Sequence, residues 1–255
     1  MIADCNGGFF WGGCATCAFV ADASSVSMNS KNSTPYGAGV GGSMARFSIV
    51  NNYMYTVGTA ELHTYDISSP HSPQFLNKTT VSWNIETIFP FKQNLFIGSM
   101  TGMFIYSIAN PAVPARVSQF NHARTCDPVI ADDDYAYVTL RSGSACGGFT
   151  NQLDVLKIDQ ITNPQLLRSY ELTNPHGLSK DGDLLFITDG KDGLKIFDAQ
   201  NPLDIKLQKH IRMAEAFDVI AFNKVALVVS ADGMYQYDYS DPNNIKLLSK
   251  IAYNK

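Results

Sequence analysis

Residues 184–202, LLFITDGKDGLKIFDAQNP, hold two apolar runs of strand length joined by DGKDG and closed by Asn-Pro. A run of this length bounded by Gly, Asp, Asn and Pro reads as a β-strand, and the pair reads as a hairpin. The hairpin recurs. Its second run returns as LHTYDISSP (62–70), MFIYSIANP (103–111), VLKIDQITNP (155–164), LKIFDAQNP (194–202) and MYQYDYSDP (234–242). Asp66, Ser107, Asp159, Asp198 and Asp238 are then spaced by 41, 52, 39 and 40 residues. The long spacing has a visible cause, because RSGSACGGFTNQ inserts roughly ten residues between the two runs of the third copy, at 141–152.

Each copy carries two further apolar segments, one before the hairpin and one after the Pro. Four strands in about 41 residues is the period of a propeller blade. A helical solenoid of similar period needs ten-residue stretches at 3.6 periodicity, which the chain lacks. The pattern therefore predicts an all-β chain, a five-bladed β-propeller of four-stranded antiparallel blades over 43–255. A six-bladed alternative would recruit the N-terminal segment. Phe197 is expected to face a blade interface.

The turn residues have physical work to do. Gly102, Gly193 and Gly233 fall between second and third strands, where a tight hairpin wants positive φ. The Pro at 70, 111, 164, 202 and 242 lacks an N–H and ends the third strand. Asp198 and its equivalents can accept from backbone amides of their own turns. In DGKDG, Lys191 opposes a bound cation, so turn chemistry accounts for a stretch that superficially resembles a calcium loop.

These strings resemble the LVIVD-repeat β-propeller proteins, most fully in LHTYDISSP and LKIFDAQNP, over roughly 44–250. Ser107 departs from the pattern, and the third copy has an extra residue before Pro164. The resemblance implies a fold and an address: exported, in the periplasm or at the outer membrane or cell surface of Bacteroides-type bacteria, with a lipid anchor in the full-length protein as one form of attachment. It supplies no catalytic residues to carry over.

Residues 1–42 form a Gly/Ser-rich head outside the repeat, expected to pack on the propeller. Its GAGVGG matches G-x-G-x-x-G but lacks the strand before and helix after that a dinucleotide site requires. FFWGGCATCAFV is too apolar for a free tail, and Phe9, Phe10 and Trp11 could meet a protein partner. Cys14 and Cys17 have metal-motif spacing, but no second pair follows and His63 is the nearest histidine.

Charge narrows the partners. The net charge is -4 with 16% charged residues, and the basic residues are scattered, which excludes a nucleic-acid surface. No run of 18 apolar residues spans a membrane. The 11% aromatic content, with 12 Tyr and 15 Phe, suits stacked sheets.

In a propeller the first strands line the central channel. Two positions before Phe47, Ile88, Val129, Leu178 and Ile220 stand Ala45, Glu86, Asp127, His176 and Asp218. These are expected to ring the channel mouth. Crowded carboxylates repel one another and either hold a cation or are simply solvated. Such a cation would be calcium-like, held by Glu86, Asp127 and Asp218; no other cofactor is implied. Trp83, Asn84, His122, Arg124, Asn174, Arg212 and Glu215 join the same rim, where Trp83 is a lid on a seam or a platform for a sugar. Cys126 and Cys146 are brought to one face and could form a disulfide in an oxidising compartment. No G-x-S-x-G or H-E-x-x-H appears, although His176 with Asp127 or Asp218 could make an acid and base pair.

The function expected from these residues is a non-catalytic binding or interaction module for an unknown protein or glycan. Its rivals are a small-molecule or glycan-processing enzyme using the channel, and a structural scaffold for a protein partner.

Overall fold

A computed structural model describes residues 41–121, 128–143 and 149–253, all within one compact unit, Pro35–Lys255. The head before Gly41 lies outside the described residues, as do His122, Arg124, Cys126, Asp127 and Cys146, and with them the six-blade alternative and the expected disulfide.

The described chain folds into five four-stranded antiparallel sheets, each with its strands in chain order. The first comprises β1 (Phe47–Val50), β2 (Tyr53–Val57), β3 (Glu61–Asp66) and β4 (Gln74–Thr80). The second comprises β5 (Ile85–Phe91), β6 (Asn94–Ser99), β7 (Gly102–Ser107) and β8 (Ala115–Asn121). The third has β9 (Val129–Ala131), β10 (Tyr135–Leu140), β11 (Gln152–Lys157) and β12 (Gln165–Glu171). The fourth has β13 (Leu178–Asp181), β14 (Leu184–Thr188), β15 (Leu194–Asp198) and β16 (Lys206–Ile211). The fifth has β17 (Ala216–Phe222), β18 (Val225–Ser230), β19 (Gly233–Asp238) and β20 (Lys246–Ala252). One strand pattern repeated in sequence thus becomes one meander repeated in space.

The turn chemistry is realised. Gly102, Gly193 and Gly233 have φ of 153°, 86° and 149°. A Cβ there would stand 2.3–2.4 Å from the carbonyl oxygens of Phe120, Ile211 and Ile251 on the fourth strand of each sheet. Only glycine tolerates both the backbone conformation and the approach. Oδ1 of Asp66, Asp198 and Asp238 accepts from the amides of Ser68, Gln200 and Ser240 at 2.7, 3.0 and 2.8 Å. Ser107 Oγ does the same for Ala109.

The third repeat requires a correction. Strand register puts Lys157, not Asp159, opposite the start of the preceding strand, where the other sheets have Asp66, Ser107, Asp198 and Asp238. Ile161 therefore occupies the place of Pro70, and Pro164 matches Pro73 and Pro114. Asp159 caps the adjacent amide of Gln160 instead. An Asp and a Pro two to three residues late imitate the repeat in sequence without sharing its position.

All five sheets also bulge between third and fourth strands, at Thr64/Tyr65, Ile105/Tyr106, Val155/Leu156, Ile196/Phe197 and Gln236/Tyr237. Such a bulge increases the local twist.

Consecutive sheets bury apolar clusters between them: Tyr55 and Leu62 with Ile88 and Leu95, Phe96 and Ile105 with Val129 and Val138, Tyr137 and Val155 with Leu178 and Leu185, and Phe186 and Ile196 with Val219 and Val228. Burial patterns follow from this. β6, β7, β10 and β14 are buried almost continuously, because their sheets are covered on both faces. β18 and β19 alternate buried and half-buried, as strands covered on one face do. The other faces of the first and fifth sheets leave Phe47 and Phe222 58% and 61% exposed.

The segment before β1 reaches across to three other sheets. Ala45 O accepts from Ile88 N at 2.9 Å, Ser43 Oγ accepts from Leu178 N at 2.7 Å, and Gly42 abuts the Asp218 carboxylate. Among the described residues no helix is long and apolar enough to cross a membrane.

Candidate functional site

The inner strands bring together a cluster that the sequence only partly announced. His176 stands just before β13, with its amide donating to Thr188 O at 2.7 Å and its carbonyl accepting from Thr139 Oγ1 at 2.8 Å. The loop leading to it is fixed from below by Asp189, a fully buried carboxylate that accepts from the amides of Thr173 and Asn174 at 3.1 and 2.6 Å. Lys195 Nζ neutralises Asp189 at 2.5 Å and Asp192 at 2.6 Å. The carboxylates of DGKDG thus hold a lysine ammonium of the next strand, and the turn positions His176.

His176 itself is 7% exposed. Arg141 Nη1 lies 3.0 Å from its Nδ1 and 3.2 Å from its Nε2, and Asn174 Nδ2 lies 3.3 Å from Nε2. Burial first, and the Arg141 charge second, pull the imidazole down to about 4, against the weaker opposing pull of Glu215 and Asp189. The ring is neutral at physiological pH, able to accept from Arg141. Phe217 packs against it edge-on, with ring centroids 5.8 Å apart.

Register revises the expected ring. Counting back from each inner hairpin aligns Phe47, Ile88, Val129, Leu178 and Val219, so the fifth ring position is Phe217. Asp218 stands one residue on, at the place of Gly177, and a bulge at Phe217 matches one at Glu86. Its carboxylate packs against Gly42 and Gly177 and accepts from Val219 N at 2.9 Å. The contacts of His176 are to Arg141, Asn174 and Phe217, so His176 and Asp218 face different surroundings, and the alternative acid and base partner, Asp127, lies outside the described residues. Among the described residues no group of three or more His, Cys, Asp or Glu is placed to hold a metal ion.

The remaining rim residues divide. Trp83 is 79% exposed and lines a shallow cavity with Asn84, Met100 and Thr101. Asn84 adopts a φ of 49° and donates from Nδ2 to Met100 Sδ at 3.1 Å. Glu86 lines a neighbouring depression with Arg46 and Thr59. Arg212 is exposed and reaches Asp192 at 4.0 Å, and the half-buried Glu215 acts on His176 through its charge.

Arg141 escaped the sequence reading. By register it stands where the other repeats have Thr59, Met100, Gly190 and Ala231, and it is the one charged residue of that set. Its membership in the insertion hid it, since an inserted loop has no repeat partner to be compared with. Its Nη1 donates to the single acceptor nitrogen of a neutral ring, and no carboxylate of the described residues forms an ion pair with it, so guanidinium donors remain for an anionic oxygen.

The fold has distant likenesses. A functionally unknown protein from Desulfotomaculum acetoxidans superposes with a TM-score of 0.65 at 12% identity, covering 85% of this chain and 69% of that one. A protein from Lactobacillus plantarum gives 0.64 at 14% identity, covering 80% and 73%. The periplasmic gluconolactonase PpgL of Pseudomonas aeruginosa gives 0.61 at 15% identity, covering 81% and 67%. At these identities the likeness is one of fold alone. No protein-family model and no curated protein matches the sequence.

Proposed function

We propose that the five sheets are the five blades of a propeller that serves as a non-catalytic, exported binding module, taking an anionic ligand at the rim formed by the first strands. The observation that carries this reading is the Arg141–His176 pair: a guanidinium directed at a neutral imidazole rather than at a carboxylate. A ligand carboxylate or phosphate would supply the missing charge. An imidazole held near pKa 4 is a weak base and is almost wholly deprotonated at neutral pH, which suits recognition better than proton transfer.

A propeller arrangement is supported by the segment Gly42–Ala45, which touches the second, fourth and fifth sheets and so draws their first strands toward one another. The exported address rests on the LVIVD-like strings. Exposed Trp83 offers a platform for a sugar ring, so an acidic glycan is the ligand class this rim fits.

An array of acidic and neutral glycans probed with the wild-type protein tests the reading. Retention of uronic-acid or sialylated glycans, lost in Arg141→Ala but kept in Arg212→Ala, is the expected result. Equal retention by Arg141→Ala, or no preference for acidic glycans, would overturn it.

A further inference from the structure

A second site lies where β1, β5 and β17 converge. A cavity of about 360 Å³ opens there, walled by Phe47, Ile49, Ile88 and Ile220. One charged side chain belongs to this otherwise apolar wall, Asp218, whose carboxylate takes a hydrogen bond from its own neighbour, Val219 N, and no ion pair among the described residues.

Asp218 is held in this position by two glycines. A Cβ on Gly42 would stand 2.3 Å from Oδ2, and one on Gly177 would stand 2.0 Å from Oδ1. Both backbones come close enough to exclude any side chain, which fixes the carboxylate against the cavity rather than letting it turn toward water. Burial raises its pKa to about 6, the mark of a carboxylate short of compensating charge.

We propose that this cavity binds a small organic ammonium ion with an apolar body, the nitrogen paired with Asp218, the body against Phe47, Ile49, Ile88 and Ile220. Each alternative fails on the chemistry of the wall. A divalent cation wants six or more oxygen ligands and finds one side-chain carboxylate. An anion would meet Asp218. A neutral apolar molecule would complete the desolvation of the carboxylate without pairing it. An ammonium pairs the charge in a surrounding of low dielectric and buries its hydrocarbon as well.

The site is independent of the Arg141 rim and is tested without reference to it. Benzylammonium is titrated calorimetrically into the full-length protein at about pH 7.5, beside benzyl alcohol as its uncharged counterpart. One-site saturable binding is expected, weakened at least about tenfold for benzyl alcohol and for Asp218→Asn. Ile220→Trp, which fills the cavity without touching the carboxylate, should abolish binding and serves if Asp218→Asn fails to fold. Arg141→Ala should leave benzylammonium affinity unchanged, so the two sites fail separately. Absence of saturable binding, equal affinity for the alcohol, or indifference to both cavity variants would overturn the proposal.

Discussion

Phe217 presents its edge to the ring of His176 across the boundary between the fourth and fifth sheets, with centroids 5.8 Å apart. Phe217 takes the register position at which the other described repeats carry Ala45, Glu86 and His176. It packs against the same imidazole that Arg141 contacts.

Removing the Phe217 ring should move the titration of His176. Burial is the larger cause of its depressed pKa, so Phe217→Ala should raise it from about 4 toward the ordinary 6.5. Arg141→Met should raise it further by removing the second cause. Histidine ring NMR shifts followed between about pH 3.5 and 8 measure both; an unmoved midpoint in Phe217→Ala would show that burial by this ring is not what holds the imidazole neutral.

His176 and Asp218 should pull stability in opposite directions with pH. The folded pKa of His176, about 4, lies below its ordinary 6.5, so its contribution is present above about 6.5 and is lost as pH falls through 4. The folded pKa of Asp218, about 6, lies above its ordinary 3.8, so its contribution is present below about 3.8 and is lost as pH rises through 6. Each is on the order of 1–2 kcal/mol after solvent screening. Urea midpoints should therefore fall with rising pH in His176→Leu and climb in Asp218→Asn. Slopes of the same sign in the two variants would refute the opposition.

Core positions should separate by burial within one strand pair. Phe186 is fully buried and meets Tyr239 at a centroid distance of 4.9 Å, so Phe186→Ala should cost about 3–5 kcal/mol. Phe197 sits at the edge of the cluster between the third and fourth sheets and is only partly buried. It does face the interface, yet Phe197→Ala should cost about 1–3 kcal/mol because part of the ring is already wet. Chemical denaturation of the two variants ranks them.

Gly233→Ala should destabilise by about 2–3 kcal/mol, because it adds positive-φ strain to a clash with Ile251 O. Gly143 has a similar φ, 142°, and no atom of the described residues within 4 Å of an added Cβ. Gly143→Ala therefore isolates the backbone cost, and thermal melts in which it equals Gly233→Ala would show that the fourth-strand contact adds nothing.

Local chemistry made most of the architecture legible. A Gly that must accept positive φ, an Asp that caps its own turn and a strand-length apolar run are each decided within a few residues, so they repeat visibly and announce their period. Asp159 shows the limit: any Asp near any Pro satisfies the local pattern, and only hydrogen-bond register reveals that Lys157 holds the repeat position. Val219 and Ile220 show it again. Two adjacent apolar residues left the inward one undecided by pattern, and hydrogen-bond register gave that place to Val219, which sets Phe217 at the expected position and Asp218 against an apolar cavity.

What the sequence determined by itself was therefore the unit: four strands, their turns and their number of repetitions, because these depend on backbone conformation and near neighbours. The tertiary structure decided which faces are covered, why β6 and β14 are buried throughout while β18 is not, and which side chains meet across sheets. The pairing of Arg141 with His176 spans 35 residues, and the approach of Gly42 to Asp218 joins the first described segment to the last sheet. Such contacts are set by how sheets stack and twist, a property of packing that no single repeat contains.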